Sequence, residues 1–414
     1  MPTDSVKPQG ATQAKVPFMV ASFTLNAATT AVLPFLILPQ AIALLGEGGW
    51  ASIAIGAAVG NFGAIAISLG WAITGPVHVS AADPVTRREL YVDSLRTRFA
   101  ACAPVIVACA LLAALIAPSR DVAALSAVVS SLAGLSAGWY YIGAGEPLAL
   151  LFRVTLLTLI PALLGAHVAA MTADVRWYLH CTIAGELASL AACSFDILRR
   201  TSAPTHGRPR KPVWRVMRSQ SHSISTALLA GTYVTLPLPI VGVLIPGSAP
   251  AFAAALSLLQ FANVLARPAT HTLQAWVPRG GRDRVHARAR RALGIALAGA
   301  LPYASVVGVF VFMTVPALTQ QRIVTSPASA ALIGATAAAI IVSQISGLVC
   351  LAALGRMRSV MTSTLVGACV GIAALPIGAL LGQDEGAWAA LFTAELAVTI
   401  YQVLVLRAAW KDPS

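Results

Sequence analysis

Residues 33–76 read LPFLILPQAIALLGEGGWASIAIGAAVGNFGAIAISLGWAITGP, two apolar stretches on either side of the turn signal LLGEGG. A helix needs about 20 mostly apolar residues to cross a membrane, and both stretches, extended to 17–44 and 49–74, are long enough. The composition agrees, with 57% hydrophobic and 10% charged residues and a mean hydropathy of +0.79, where a soluble chain is about 25% charged. We therefore expect an integral membrane protein.

The rest of the chain divides at similar turn signals. A Pro- and Arg-rich stretch separates six candidate spans from six more, so we expect an all-α protein with a tail (1–16), a six-helix bundle (17–198), a basic linker (199–218), a second six-helix bundle (219–407) and a second tail (408–414). The twelve spans are 17–44, 49–74, 99–117, 121–142, 147–170, 177–198, 219–245, 250–275, 293–315, 327–353, 359–381 and 387–407.

The basic residues lie almost entirely in loops on the N-terminal side of the membrane. Because cytoplasmic loops carry the excess of Lys and Arg, we expect a multi-pass protein of the plasma (inner) membrane with both termini cytoplasmic. This topology accounts for the net charge of +13, so no nucleic acid partner is expected. Among the 28 basic residues, the exceptions are Arg120, Arg176 and Arg322 in loops on the other side and Arg153 and Arg267 inside spans.

The basic loops have a second interpretation. The clusters at 199–215 and 279–291 are suited to attract anionic lipid headgroups of the inner leaflet, although topology alone also explains them. Membrane lipids are therefore expected partners.

The two halves of the chain share matched positions. Pro104 and Pro118 correspond to Pro302 and Pro316 with an offset of 198. Asn61 and Asn263 correspond with an offset of 202, and Glu186 and Glu395 with one of 209. An even number of spans per half makes the repeat parallel about an axis along the membrane normal, which predicts two bundles around a central cavity. Chance is the alternative, since prolines are common in membrane helices.

Four charged side chains fall inside predicted spans. A charge at the membrane centre costs at least about 2.5 kcal/mol, so Glu186 and Glu395, near the midplane, either line a cavity or are hydrogen-bonded packing residues. Arg153 and Arg267 lie nearer the cytoplasmic side, where they either line a cavity or reach back to the interface.

Uncharged polar residues add candidate cavity-lining groups in the second and eighth spans. They are Asn61, Gln260 and Asn263. Each of them, taken singly, is also typical of a hydrogen bond between helices.

The stretch GWYYIGAGEPLALLFR (138–153) joins the fourth and fifth spans. Its aromatic residues Trp139–Tyr141 predict a belt at the membrane interface. Gly143–Gly145 predicts a turn, and Pro147 the first turn of the fifth helix.

Residues 33–76 and 138–153 together resemble the polysaccharide and lipid-linked oligosaccharide flippases of the MATE-like (multidrug/oligosaccharidyl-lipid/polysaccharide) exporter superfamily. The first stretch is similar to that family's first two helices, with a Leu-Pro-rich end and a Gly-rich second helix. The second is similar to its junction between the fourth and fifth helices. The resemblance covers the first half of the chain better than the second.

The resemblance implies that an undecaprenyl-type lipid carrier bearing a sugar chain moves from the inner to the outer leaflet by alternating access. Arg153 and Arg267 would meet the phosphates of this lipid-linked sugar. Glu186 and Glu395 would hold a coupling ion, H⁺ or Na⁺, or sugar hydroxyls. No cofactor is expected. Polysaccharide assembly enzymes are candidate partners, and the chain is expected to work as a monomer.

Two other classes of transporter fit the composition. One is a cation-coupled small-molecule or drug exporter of the same superfamily, and the other is a twelve-helix major-facilitator transporter, although LYVDSLRTR (90–98) lacks that family's glycine pattern. We do not expect an enzyme, because the outer loops are short and no paired Asp, Ser/His or metal arrangement lies near a membrane end.

Overall fold

The computed structural model describes residues 15–200, 212–219, 224, 227–228, 231–232, 234–277 and 282–411. In this part of the chain every regular element is a helix. The first half contains α1 (Lys15–Ser68), α2 (Trp71–Ala81), α3 (Pro84–Ile116), α4 (Arg120–Leu132), α5 (Gly138–Ala144), α6 (Pro147–Leu150), α7 (Leu156–Thr172) and α8 (Arg176–Arg200). The second half contains α9 (Val213–Ser219), α10 (Pro237–Leu244), α11 (Ala249–Trp276), α12 (Arg282–Leu318), α13 (Pro327–Gln344) and α14 (Met357–Lys411).

Shorter turns continue some of these helices. The 3₁₀ turn Ala133–Leu135 follows α4, the π-helical turn Leu151–Thr155 joins α6 to α7, and the π-helical turn Ile345–Leu351 extends α13. A π turn inserts one extra residue and leaves backbone groups without their usual helical partners.

Within the described residues, nine helical stretches are long and apolar enough to cross a membrane. Two helices are too long for one crossing, since the 54 residues of α1 and the 55 of α14 would each extend about 80 Å against a hydrocarbon core of about 30 Å. Both are interrupted, α1 at Gly46 (φ 70°, ψ −175°) and α14 at Gln383 (φ 49°, ψ −128°). These breaks agree with the span boundaries predicted at 44–49 and 381–387. The total of twelve stays a prediction, because much of span 219–245 lies outside the described residues.

The chain reverses direction at Gln383. Gly378 and Gly386 would be about 12 Å apart along a straight helix, yet a Cβ placed on either glycine would overlap the carbonyl group of the other. Residues 357–382 and 384–411 therefore pack as an antiparallel pair of helices, and the absence of a side chain at both glycines permits their close approach.

One apolar cluster joins the two halves at one end of the molecule. It includes Ile55 and Val59 of α1, Phe252 and Leu258 of α11, and Trp388 of α14. The Phe252 and Trp388 rings lie 4.5 Å apart, centroid to centroid. This shared core lies at the end of the molecule opposite the last turns of α8 and α14.

The other end of the molecule, which we call the basic side, has two separate cores. One contains Tyr91, Tyr141 and Ile197 of the first half together with Val216 of α9. The other consists of second-half residues such as Leu293, Val349 and Leu406. Among the described residues, the two halves therefore share one apolar core at the opposite side and have separate cores at the basic side, where α9 packs with the first half.

The two halves repeat in parallel. The second segment of α1 enters the shared core with Trp50 and leaves it at Val59, and α11 enters with Ala249 and leaves at Ala262. Both helices therefore run toward the basic side. This common direction confirms the prediction of two parallel bundles around a central cavity.

The junction between the fourth and fifth spans follows the prediction in its backbone and departs from it in its side chains. Gly145 ends α5 with φ 70°, and Pro147 begins α6. The aromatic group predicted as an interfacial belt is buried instead, with Trp139, Tyr140 and Tyr141 exposed by 5%, 6% and 0%. The cause is α2, which packs on α5 and brings the Trp71 ring to 5.4 Å from the Trp139 ring.

Candidate functional site

Two asparagines mark the point where the shared core gives way to the cleft between the halves. The core ends at Val59 on α1 and at Ala262 on α11. Asn61 lies two residues after Val59, and Asn263 directly follows Ala262. Asn61 is exposed and Asn263 is half-buried. The pair predicted from the internal repeat thus occupies equivalent places in the two halves.

Asn61 lies on the face of α1 that meets the second half. It is one helical turn from Ile65, whose Cδ1 would be 2.5 Å from a Cβ placed on Gly231. On the same helix, Ile55 packs against Gly242 of α10. Residues four apart share a helix face, so Asn61 and Ile65 lie on the same face of α1, against the second half.

A line of polar side chains continues along α11 toward the basic side. Gln260, Asn263 and Arg267 are spaced by three and four residues, which places them on one helix face. Gln260 and Arg267 are exposed. The Oδ1 atom of Asn263 is buried and has no hydrogen-bond partner among the described residues. Arg267 likewise forms no ion pair or hydrogen bond with a described residue, which leaves its guanidinium available to an anion.

Arg153 lies in an ion-pair network at the basic side of the first half. Its Nη1 is 2.9 Å from Oδ2 of Asp196, and the Tyr141 hydroxyl donates to the same oxygen at 3.0 Å. The other Asp196 oxygen lies 2.7 Å from Nε of Arg200, whose Nη1 is 3.1 Å from Oε2 of Glu146. The two positions predicted for Arg153, at the interface or in a cavity, did not include this pairing.

The backbone around Arg153 explains its position. It lies in the π turn Leu151–Thr155, and its carbonyl oxygen accepts a hydrogen bond of 2.8 Å from Ser189 Oγ of α8. This contact holds α8 against the turn and brings Asp196 within reach of the guanidinium. One ion pair of this network could have been predicted from the sequence. Asp196 and Arg200 are four residues apart in α8, which is the spacing of a helical ion pair.

The two glutamates lie apart from this network. Glu186 precedes Asp196 by ten residues in α8, or about 15 Å along the helix. It is half-buried and makes no ion pair or hydrogen bond with a described residue. Glu395 of α14 is also half-buried. Their helices pack largely against helices of their own halves. Gln260, Asn263 and Arg267 share one face of α11, Asn61 lies on α1, and Glu186 and Glu395 lie on neither of these helices.

These features define a class of fold, an all-helical protein of two parallel repeats that share one apolar core at one end. Solved structures share this fold. The lipid II flippase MurJ in an inward closed conformation aligns with a TM-score of 0.65 at 10% identity, covering 94% of this chain and 87% of that chain. The MATE multidrug transporter DinF-BH aligns with a TM-score of 0.58 at 13% identity, covering 100% of this chain and 98% of that chain.

A third structure names the group to which the fold belongs. An inward-facing multidrug resistance MATE family transporter of the MOP superfamily aligns with a TM-score of 0.53 at 12% identity, covering 94% of this chain and 96% of that chain. The chain thus has the fold of the MOP-superfamily transporters, as its resemblance predicted. At the sequence level, no protein family and no curated protein matches it.

Proposed function

We propose that this protein flips a lipid-linked, undecaprenyl-type oligosaccharide or polysaccharide precursor from the inner to the outer leaflet by alternating access. The observation that carries the proposal is the polar line Gln260, Asn263 and Arg267 on α11, which runs from the end of the shared core toward the basic side. Such a line offers amide groups to sugar hydroxyls and a guanidinium to phosphate at the end where the substrate would enter.

The distribution of basic residues gives the proposed orientation of the protein in the membrane. The excess of Lys and Arg supports a cytoplasmic position for the basic side, with both termini in the cytoplasm and the protein in the plasma (inner) membrane. The cleft between the halves would then accept substrate from the inner leaflet. The lipid tail would stay in the bilayer while the phosphates and sugars pass between the halves.

The two predicted arginines would act differently in this cycle. Arg267 has no described partner and would bind the carrier's phosphate directly, because a guanidinium holds oxyanions with paired hydrogen bonds. Arg153 is already paired with Asp196, so a phosphate would have to compete with that carboxylate. Glu186 and Glu395 are the candidates for a coupling ion, H⁺ or Na⁺, or for sugar hydroxyls. No cofactor enters the proposal, and the protein would work as a monomer beside polysaccharide assembly enzymes.

The test uses the purified protein in liposomes that contain a lipid-linked oligosaccharide with a fluorescent sugar. The measured quantity is the fraction of label that an impermeant quencher reaches over time. We expect wild-type protein to move label between leaflets and R267Q to slow the movement at least about tenfold, as expected when a charge-assisted hydrogen bond is lost. R358Q, an exposed arginine of the same side outside the cleft, is the matched control. No movement by wild type would overturn the proposal.

A drug exporter of the same fold is the second candidate. Glu186, half-buried and without a described partner, is the observation that favours it, since a membrane carboxylate of this kind can exchange a proton or sodium ion for a cationic drug. If dye efflux depends on Glu186 while lipid-linked sugar stays in place, this candidate replaces the flippase. The MOP fold argues against the major-facilitator alternative, which arranges its twelve helices differently.

A further inference from the structure

Two grooves open at the basic side of the molecule, one in each half. The first has a volume of about 570 Å³ and is lined by Arg153, Ala192, Phe195, Asp196, Arg199 and Arg200. The second has a volume of about 560 Å³ and is lined by Arg290, Leu404, Arg407, Ala408 and Trp410.

The grooves occupy corresponding places in the internal repeat. With the offset of 209 that relates Glu186 to Glu395, Phe195 corresponds to Leu404 and Arg199 to Ala408. Both pairs line their grooves. The last turns of the sixth and twelfth spans therefore form the same kind of recess twice.

An apolar strip leads to each groove from within the membrane. In α8, Leu187, Ala191 and Phe195 are exposed at intervals of four residues, and in α14 the exposed residues Leu396, Ile400 and Leu404 repeat that spacing. Side chains four apart lie on one helix face. Exposed apolar surface in a membrane protein suits acyl chains, so each strip can seat a lipid tail directly above its groove.

The lining of each groove keeps a net positive charge after the ion pairs within it are counted. In the first groove Asp196 pairs with Arg153 and Arg200, while Arg199 lies over the Phe195 ring at 5.9 Å and has no described acidic partner. In the second groove the described lining contains no carboxylate.

Two arginines supply the charge of the second groove. Arg290 lies 5.2 Å from the centre of the Trp410 ring and donates to the Trp410 carbonyl oxygen at 3.3 Å. Arg407 is exposed and makes no ion pair with a described residue. The Trp410 ring holds the Arg290 guanidinium in place without neutralising it.

We propose that these two grooves are binding sites for anionic phospholipids of the leaflet on the basic side. Each groove takes the headgroup phosphate, and the strip above it takes the acyl chains. The proposal does not depend on which substrate crosses the central cleft, because the grooves lie at the ends of α8 and α14 rather than along α11. The bound lipids would fix the height of both halves relative to that leaflet.

The test measures binding of phosphatidylglycerol to the purified, full-length protein by native mass spectrometry over a lipid titration. Wild type is expected to retain two phosphatidylglycerol molecules in preference to phosphatidylcholine. R290Q/R407Q is expected to bind one of them about 25-fold more weakly, from about fivefold per arginine near a charged membrane surface. R199Q is expected to weaken the other about fivefold, and the triple variant to affect both.

The control experiments distinguish lipid binding at the two grooves from general attraction of anionic lipid to a positively charged surface. R356Q/R358Q removes two exposed arginines on the same side, one just before α14 and one in its first turn, and is expected to leave both affinities within about twofold. An equal loss in this control, or unchanged binding in R290Q/R407Q, would overturn the proposal. Glycerol 3-phosphate in millimolar excess is expected not to displace the lipid. Displacement would mean that the grooves are sites for soluble anions, which also overturns it.

Discussion

Arg322, in the loop between α12 and α13, donates a hydrogen bond of 3.1 Å from Nη1 to the carbonyl oxygen of Ile42 in α1. The bond joins the two halves at the closed side of the molecule, next to the shared apolar core. Every conformation in which that side opens must break it.

Substitution R322Q should therefore make the closed side easier to open. The bond is partly solvated, so its loss should cost the closed state about 1 kcal/mol, or roughly a fivefold rise in the open population. The measurement is the labelling rate of A253C, a position buried in the shared core, by an impermeant maleimide added on that side. The control R120Q/A253C removes another arginine on the same side and should be labelled at the same rate as A253C alone. If R322Q/A253C is also labelled no faster than A253C alone, the Arg322 bond does not hold the closed side shut.

Close packing of the second segment of α1 on α4 should make Gly60 intolerant of any side chain. A Cβ at Gly60 would lie 2.5 Å from the Ala127 carbonyl oxygen, so G60A should destabilise the protein by about 1 to 3 kcal/mol through overpacking. Gly294 of α12 has no atom within 4 Å of the same position, and G294A should be neutral or slightly stabilising. Recovery of monodisperse protein after graded heating in detergent compares the two, and similar losses would contradict this account.

Removing the charge of Asp196 should cost more than removing that of Arg200. D196N leaves Arg153 and Arg200 without their shared carboxylate and should destabilise the first half by about 1 to 3 kcal/mol. The Arg200 side chain is 53% exposed, so R200Q should cost at most about 1 kcal/mol. The same heating assay ranks them. An R200Q variant as unstable as D196N would show that the Arg153 pair contributes little.

The buried Arg98 should be required for the turn after α4. Its Nη1 donates to the carbonyl oxygens of Ser136 at 2.8 Å and Gly134 at 3.3 Å, and the residue is 1% exposed. R98L would leave those buried acceptors without a donor, at a cost of about 1.5 to 3 kcal/mol. R98K keeps the charge and should recover part of the loss. Protease sensitivity of 133–138 is the readout, and an R98L turn as resistant as wild type would refute the role.

Apolar length and turn residues predicted the spans and the internal repeat, because a membrane allows few backbone arrangements. Asn61 and Asn263 were matched by offset alone, and the structure places both where the shared core ends. Gly145 and Pro147 likewise formed the junction that their conformational preferences predict.

Side-chain pairing was harder to predict, because it depends on which helix faces meet. Arg153 was assigned to an interface or a cavity, whereas a π turn and the Ser189 contact bring it to Asp196. The Trp139 ring was assigned to the membrane surface, whereas α2 covers it. In both cases the deciding contact comes from a residue more than 30 positions away.

The shared core also gives the proposed transport cycle a temperature dependence. Opening the closed side to water would wet the rings of Phe252 and Trp388 and their aliphatic neighbours, and hydration of apolar surface raises the heat capacity. The free energy of opening the closed side should therefore vary with temperature along a curve rather than a straight line. Cooling should favour opening, because apolar association weakens in the cold. In the proposed transport cycle, the driving force must supply this hydration free energy when the closed side opens, and its size changes with the temperature at which the cell grows.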